Sequence, residues 1–167
     1  MDQQIETGNY TSVLSGNYYG MYRATKELVK AGHKEIGFVG ALDYSRNIID
    51  RYYGYKKCMR ENGLKVNREW LLPDRSGNDE TPMIELPKKL PTAFACSSDF
   101  SAGLLYEALK KQGKRVPEDI SIVGYDNYLL NSDLEGRLTT YNVDLVKMAR
   151  LTVEQVINES LDRKSVV

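Results

Sequence analysis

Apolar residues along this chain follow two alternating patterns, one typical of helices and one typical of buried strands. Between Asn17 and Ala31, apolar side chains recur at helical spacing, Asn17 is a candidate N-cap and Gly32 ends the segment. Residues 35–40 form a short apolar run of the kind found in strands buried on both faces. Further helices are predicted at 48–62, 99–112 and 144–161, and further strands at 70–72, 92–96, 120–125 and 138–141.

The sequence also predicts local features of three segments: the start of the helix at 99–112, the stretch 73–91, and the last helix. Asp99 is expected to be the N-cap of its helix, and residues 73–91, rich in proline and glycine, are read as a loop with a short helical turn at 83–86. The last helix is expected to bury one apolar face. The residues of that face are Leu145, Met148, Ala149, Thr152, Val153, Val156 and Ile157.

The alternation of strands and helices predicts the fold class. Strands separated by helices favour right-handed crossover connections and a parallel sheet. We therefore expect an α/β fold with a parallel sheet flanked by helices on both faces, a Rossmann-like lobe.

Composition narrows the classes of function. The chain has 167 residues, the size of one domain, and its 23 Lys and Arg balance 23 Asp and Glu. A chain without net charge gives no electrostatic case for nucleic-acid binding by this segment. The longest apolar runs are far shorter than the roughly 20 residues that span a bilayer. The polar, acidic residues 1–8 do not resemble a signal peptide, and Cys58 and Cys96 are expected to be buried thiols, so the cytoplasm is the expected compartment.

Polar side chains follow four of the predicted strands at the point where each strand ends. In open parallel sheets, ligands bind beyond the carboxyl ends of the strands. Carboxylates, guanidinium groups, hydroxyls and amides form the set that recognises a polyol such as a sugar. The residues concerned are Asp43, Tyr44, Ser45, Arg46, Asn47, Arg51, Asp74, Arg75, Ser97, Ser98, Asp99, Asp126, Asn127 and Tyr128.

These residues taken alone leave alternatives open. Asp126 is equally a turn residue or a ligand contact, and an arginine in a helix, such as Arg51, is usually only solvated. The G-x-x-G at Gly37 is not a dinucleotide-binding motif, and His33 has no second ligand with which to form a metal site. Hence we expect no enzyme activity, no cofactor and no metal.

Four segments together carry a resemblance to a known family. They are residues 32–40 (GHKEIGFVG) followed by 51–55 (RYYGY), 91–99 (PTAFACSSD), 116–127 (VPEDISIVGYDN) and 138–140 (LTT). In this order and spacing they resemble the C-terminal effector lobe of LacI/GalR-type transcriptional repressors, from about residue 17 to about residue 160. The resemblance implies a periplasmic-binding-protein-like fold and a small effector, often a sugar, held between two lobes. It also implies a cytoplasmic homodimer without membrane contact, which binds DNA only through an N-terminal helix-turn-helix upstream of this chain.

The resemblance also implies roles for individual residues. Arg51 and Asp126 match the two effector contacts of the family's R-x-x-G-[YW] and G-[YF]-D motifs, and Asn47 and Ser98 match further contact positions. Ser98 stands where members often have asparagine. Arg75 stands where an aromatic residue is common, a departure that favours a more polar or anionic effector. Tyr44, at the end of the first strand, completes the candidate ligand-binding set.

The expected organisation follows from this resemblance. Residues 1–16 are a loosely held N-terminal segment, residues 17–139 form the C-terminal effector-binding lobe, and residues 140–167 supply a crossover strand and helix of the partner lobe. The leading hypothesis is the effector-sensing part of a repressor. The alternative is the solute-binding protein of a sugar transporter, with a sugar-modifying enzyme as a distant third.

Overall fold

The computed structural model describes residues 12–76, 81–82, 84–128 and 133–164, in which four α-helices are interspersed with seven strands. The helices are α1 (Asn17–Lys30), α2 (Arg46–Glu61), α3 (Asp99–Lys111) and α4 (Leu145–Lys164). The strands are β1 (Ile36–Val39), β2 (Leu71–Leu72), β3 (Arg75–Ser76), β4 (Thr81–Pro82), β5 (Ala93–Cys96), β6 (Ser121–Asp126) and β7 (Thr139–Asn142). Most of the expected N-terminal segment, residues 1–11, lies outside the described residues.

The main sheet has five parallel strands in the order β2-β1-β5-β6-β7. Its register sets Phe38 opposite Leu71 and Ala95, and Val123 opposite both Ala95 and Thr139. The predicted fold class is therefore confirmed. In the expected loop at 73–91, β3 and β4 pair as a short antiparallel hairpin. Residues 84–86 are not helical, and Met83 lies outside the described residues.

Two apolar clusters cover the two faces of the sheet. On one face α1 and α2 pack on β1, with Met21, Phe38 and Tyr55 fully buried. On the other face α3 packs on β5 and β6 around residues such as Leu105 and Phe94. Cys58 and Cys96 are buried and unpaired, as predicted.

The helix starts differ from the predicted caps. Ser98, not Asp99, caps α3, because its extended backbone lets Oγ accept the N–H of Ser101 at 3.1 Å. Gly16 precedes α1, and Asn17 is the first residue of that helix. The side chains of Asn17 and Asp99 are buried at 5% and 1% exposure, so both serve tertiary contacts rather than the ends of their helices.

The last strand and helix also differ from expectation. β7 pairs with β6, so this strand belongs to the main sheet rather than to a second lobe. In α4, the expected inward residues Leu145, Val153, Val156 and Ile157 are 58%, 57%, 59% and 52% exposed. The reason is that the clusters formed with α1, α2 and α3 already cover both faces of the sheet, and no described residue of α4 belongs to either cluster. None of the described helices is long and apolar enough to cross a membrane.

Candidate ligand site at the carboxyl edge of the sheet

The parallel register brings the ends of β1, β2, β5 and β6 to one edge of the sheet, which we call the carboxyl edge. Within this edge the predicted residues form two groups. Arg51, Ser98 and Asp126 lie around β5 and β6, and Tyr44 and Arg75 lie beyond β1 and β2. Asn47 stands in the first turn of α2 and is 8% exposed.

Arg51 is held in one orientation by three contacts. Its Nε donates to Asn17 Oδ1 and its Nη1 to the carbonyl oxygen of Ser97, each at 2.8 Å. Its Cζ lies 3.9 Å from the centre of the Tyr125 ring, which adds a cation–π contact. A side chain with this many partners is not the freely solvated arginine that its place in a helix suggested.

The approach of α1 to α2 explains how Arg51 reaches Asn17. Gly54 lies one turn after Arg51, and a Cβ at this position would collide with the backbone of Tyr18 in α1. Without that Cβ, the two helices pack closely at the end of α1 where Asn17 lies. Gly54 of the R-x-x-G-Y motif thus lets the two helices approach closely enough for Arg51 of the same motif to reach Asn17.

Asp126 ends β6 with a backbone that few side chains adopt. Its φ is +101° and that of Asn127 is +56°, both in the region that favours glycine, and Oδ1 accepts the Tyr128 N–H at 3.1 Å. Burial and the charge of Asp99 raise the pKa of Asp126 to about 6, although the Tyr128 N–H and the charge of Arg51 act in the opposite direction. Near neutral pH this carboxyl group can therefore exchange a proton and act as hydrogen-bond acceptor or donor.

The carboxylate of Asp99 stabilises this turn by hydrogen bonds. Its carboxylate accepts Thr140 Oγ1–H at 2.7 Å and the Tyr128 N–H at 3.1 Å. A Cβ on Gly124 would overlap with Oδ1 of Asp99, so this glycine leaves room for the carboxylate. Burial raises the pKa of Asp99 against the effect of these hydrogen bonds. The sequence analysis did not predict this role of Asp99. The signal that could have indicated it is Gly124, a glycine inside an apolar strand, where such a residue often marks a close approach.

The second group is built on Asp74, which is fully buried. Its carboxylate accepts the Ala41 N–H at 2.9 Å, the hydroxyl of Ser101, and Nε and Nη2 of Arg75 at 3.2 Å each. Burial alone raises the pKa of Asp74, but the hydrogen bonds from Arg75 and Ser101, the charge of Arg75 and the Ala41 N–H hold it below its usual value. The guanidinium of Arg75 also stacks on Tyr44, with Cζ 3.9 Å from the ring centre.

Serine hydroxyls connect the two groups. Ser101 Oγ lies 2.8 Å from Ser98 Oγ and 3.2 Å from Ser97 Oγ, and the Ser97 carbonyl in turn accepts from Arg51. Ser98, predicted as a ligand contact, thus uses its hydroxyl within the protein. Hydrogen bonds thus connect the two guanidinium groups through Asp74 and the serines. Asp126 lies outside this network, hydrogen-bonded to the Tyr128 N–H, and is coupled to Arg51 by charge.

The described part of the chain offers no group of three His, Cys, Asp or Glu residues that could hold a metal ion. His33 lies at the opposite, amino edge of the sheet. Its ring nitrogens lie 2.9 Å from Thr92 Oγ1 and 3.0 Å from Ser121 Oγ, and burial lowers its pKa. These contacts give His33 a structural role.

Comparison with known proteins identifies relatives of this chain. Residues 25–165 match a family model described as a periplasmic binding protein-like domain. The chain is 34% identical over 158 residues to the HTH-type transcriptional repressor PurR of Pasteurella multocida, covering 90% of this chain and 47% of that protein. It is 30% identical to the ribose operon repressor of Haemophilus influenzae, covering 94% of this chain and 48% of that protein. The relatives are repressors, not enzymes.

A solved structure supports the fold. A LacI family transcriptional regulator from Enterococcus faecium with bound ribose superposes with a TM-score of 0.77 at 23% identity, covering 96% of this chain and 61% of that one. At this identity the likeness establishes the fold alone. The chain spans about half the length of the curated relatives it matches.

Proposed function

We propose that this chain, which belongs to the periplasmic binding protein-like domain family, is the effector-sensing lobe of a LacI-type transcriptional repressor. The effector is a small polar molecule, a sugar or sugar derivative, bound at the carboxyl edge of the sheet. The proposal extends to the whole protein, which in this view is a homodimer that binds DNA through a separate helix-turn-helix. The relatives are repressors rather than transport proteins, which favours this role over that of a transporter's solute-binding protein.

The observation that carries the proposal is the fixed orientation of Arg51 beside Asp126. The guanidinium is held by Asn17 and the Ser97 carbonyl, and its charge acts on the Asp126 carboxyl group. A fixed donor next to an acceptor matches the neighbouring hydroxyls of a sugar, which both donate and accept hydrogen bonds. Hydrogen bonds to charged groups stabilise a complex by about 1.5–3 kcal/mol each, enough to set both affinity and orientation.

The signal arises from two states of the protein. An effector bound between this lobe and a second lobe stabilises the closed arrangement relative to the open one, and only that difference in affinity can shift DNA binding. Coupling free energies of this kind are typically about 1–3 kcal/mol. Asn47, Arg75 and Tyr44 complete the proposed binding surface, and Ser98 supports it through the serine hydroxyls.

The test is calorimetric titration of the full-length gene product with D-ribose, D-glucose, D-galactose and their phosphate monoesters. At least one of these sugars is expected to bind, and Arg51→Met is expected to weaken that binding at least tenfold, or about 1.4 kcal/mol. Arg115→Met is the matched control, because Arg115 forms an exposed ion pair with Asp119 just before β6, at the amino edge of the sheet. Binding of none of these compounds, or equal losses in both variants, would contradict the proposal.

A further inference from the structure

We infer that the effector is a phosphate monoester of a sugar, and that Arg75, positioned by Asp74 and Tyr44, receives the phosphate. This inference rests on the proposed function, because it names the chemical class of the molecule bound at the same edge. Asp74 and Tyr44 are positioning residues here, since they act on the ligand through Arg75.

The Arg75 guanidinium is held in both position and plane. The Asp74 carboxylate accepts hydrogen bonds from Nε–H and one Nη2–H at one edge of the guanidinium plane. The Tyr44 ring covers a face of the plane, with its centre 3.9 Å from Cζ. The contact of Asp74 with the edge of the group and that of Tyr44 with its face together fix the position and the orientation of the guanidinium. A planar group with five N–H donors that is fixed in this way is preorganised for the oxygens of a phosphate.

The two members of the Arg75–Asp74 pair differ in exposure. The Arg75 side chain is 20% exposed, whereas that of Asp74 is 1% exposed. A ligand at this edge therefore meets the cation and not the carboxylate. The Ala41 N–H and the Ser101 hydroxyl also bind Asp74, so the stabilisation of the buried carboxylate does not depend on Arg75 alone.

The adjacent helix end also favours an anion. Tyr44 directly precedes Ser45, the N-cap of α2, and the first turn of α2 contains no acidic residue. The N–H groups and the positive end of the helix dipole attract negative charge there. Of the charged residues beside Tyr44 in the chain, Asp43 opposes an anion and Arg46, the first residue of α2, favours one.

The rival explanation is that Arg75 serves only as counter-ion to the buried Asp74. The two explanations differ in one measurable quantity, the ratio of the dissociation constants of a sugar and its phosphate monoester. A purely structural role changes the stability of the fold and leaves this ratio unaltered. A phosphate-binding role changes the ratio itself.

The experiment titrates the full-length gene product with D-ribose, D-ribose 5-phosphate, D-glucose, D-glucose 6-phosphate and inorganic phosphate. The natural protein is expected to bind at least one phosphate monoester at least tenfold more tightly than its parent sugar and than inorganic phosphate. In the double variant Asp74→Asn/Arg75→Gln, which removes both charges and leaves no unpaired carboxylate, this preference is expected to fall to about twofold or less. Tyr44→Leu keeps the ion pair and is expected to reduce the preference three- to tenfold. Arg115→Gln, which alters an exposed arginine paired with Asp119, is the control and is expected to keep the full preference.

The outcomes separate this inference from the proposed function. Equal affinity for sugar and phosphate monoester, with a clear loss in Arg51→Met, overturns the inference and leaves the effector role standing. A phosphate preference that survives in Asp74→Asn/Arg75→Gln overturns the role of Arg75. Binding of inorganic phosphate as tight as that of the monoesters overturns the assignment of the effector as a sugar phosphate.

Discussion

The two edges of the sheet carry the same kinds of side chain and use them differently. At the amino edge, Glu35 and Lys89 form an ion pair at 3.2 Å with both side chains well exposed. Arg115 and Asp119, four residues apart, form another. At the carboxyl edge, Asp74 is fully buried and its arginine partner is mostly buried.

The difference shows in the titration of the carboxyl groups. A hydrogen bond from Arg115 lowers the pKa of Asp119 to about 2, whereas burial and the charge of Asp99 raise that of Asp126 to about 6. At the amino edge, solvent stabilises a charge already, and a partner only adds to that stabilisation. At the carboxyl edge, the protein has replaced the solvent, so each charge depends on specific donors. Carboxyl groups whose pKa is shifted by burial are typical of functional sites, which supports the carboxyl edge as the proposed site.

The largest expected difference concerns stability after loss of one carboxylate at each edge. Asp74→Ala removes the buried acceptor of the Arg75 guanidinium, the Ala41 N–H and the Ser101 hydroxyl, and should lower the free energy of unfolding by about 3–5 kcal/mol. Glu35→Ala removes an exposed partner of Lys89 and should cost less than about 1 kcal/mol. Urea denaturation of both variants measures the two values. Losses of similar size would show that the carboxyl-edge network is not specially dependent on Asp74.

The fold could be predicted from the sequence more completely than the site. Burial on both faces produces continuous apolar runs, so the strands, helices and parallel sheet follow from pattern alone. The rule that ligands bind beyond the carboxyl ends of parallel strands makes Asp74, Arg75 and Tyr44 candidates from their places in the chain. Arg51 and Asp126 become specific candidates only through the family resemblance.

The missed features all depend on contacts between distant parts of the chain. Local pattern predicts an N-cap at Asp99 because it cannot show the bond of this residue to Thr140, 41 residues later. The predicted cap at Asn17 is wrong for the same reason, since its partner Arg51 lies 34 residues away. In α4, an amphipathic pattern indicates an apolar face but cannot indicate the surface that would cover it.

A smaller difference is expected when an arginine at each edge is changed to lysine. Arg51→Lys keeps the charge but loses the planar fork that joins Asn17 to the Ser97 carbonyl, and part of the stacking on Tyr125. We expect it to lower the free energy of unfolding by about 1–2 kcal/mol. Arg115→Lys, in an exposed pair, should leave this free energy unchanged within the error of the measurement. Thermal or urea unfolding measures both, and equal effects would mean that Arg51 contributes only its charge.

The smallest expected effect, and the sharpest in sign, is the dependence of stability on pH. The folded protein holds the proton of Asp126 more tightly than the unfolded chain does, since its pKa is raised from 3.8 to about 6. The contribution of Asp126 to the free energy of unfolding should therefore rise as the pH falls from about 7 to about 4, by about 1 kcal/mol once partial exposure is discounted. Asp119 should behave in the opposite way, because its pKa of about 2 lies below the ordinary value, so its stabilisation is lost as the pH falls from about 4 to about 2. Carboxyl NMR titration gives both pKa values, and urea denaturation of Asp126→Asn and Asp119→Asn against the natural protein at pH 7, 5 and 3 gives both slopes. Midpoints near 4 for both carboxyl groups would contradict the contrast between the two edges, because each would then titrate as if in water.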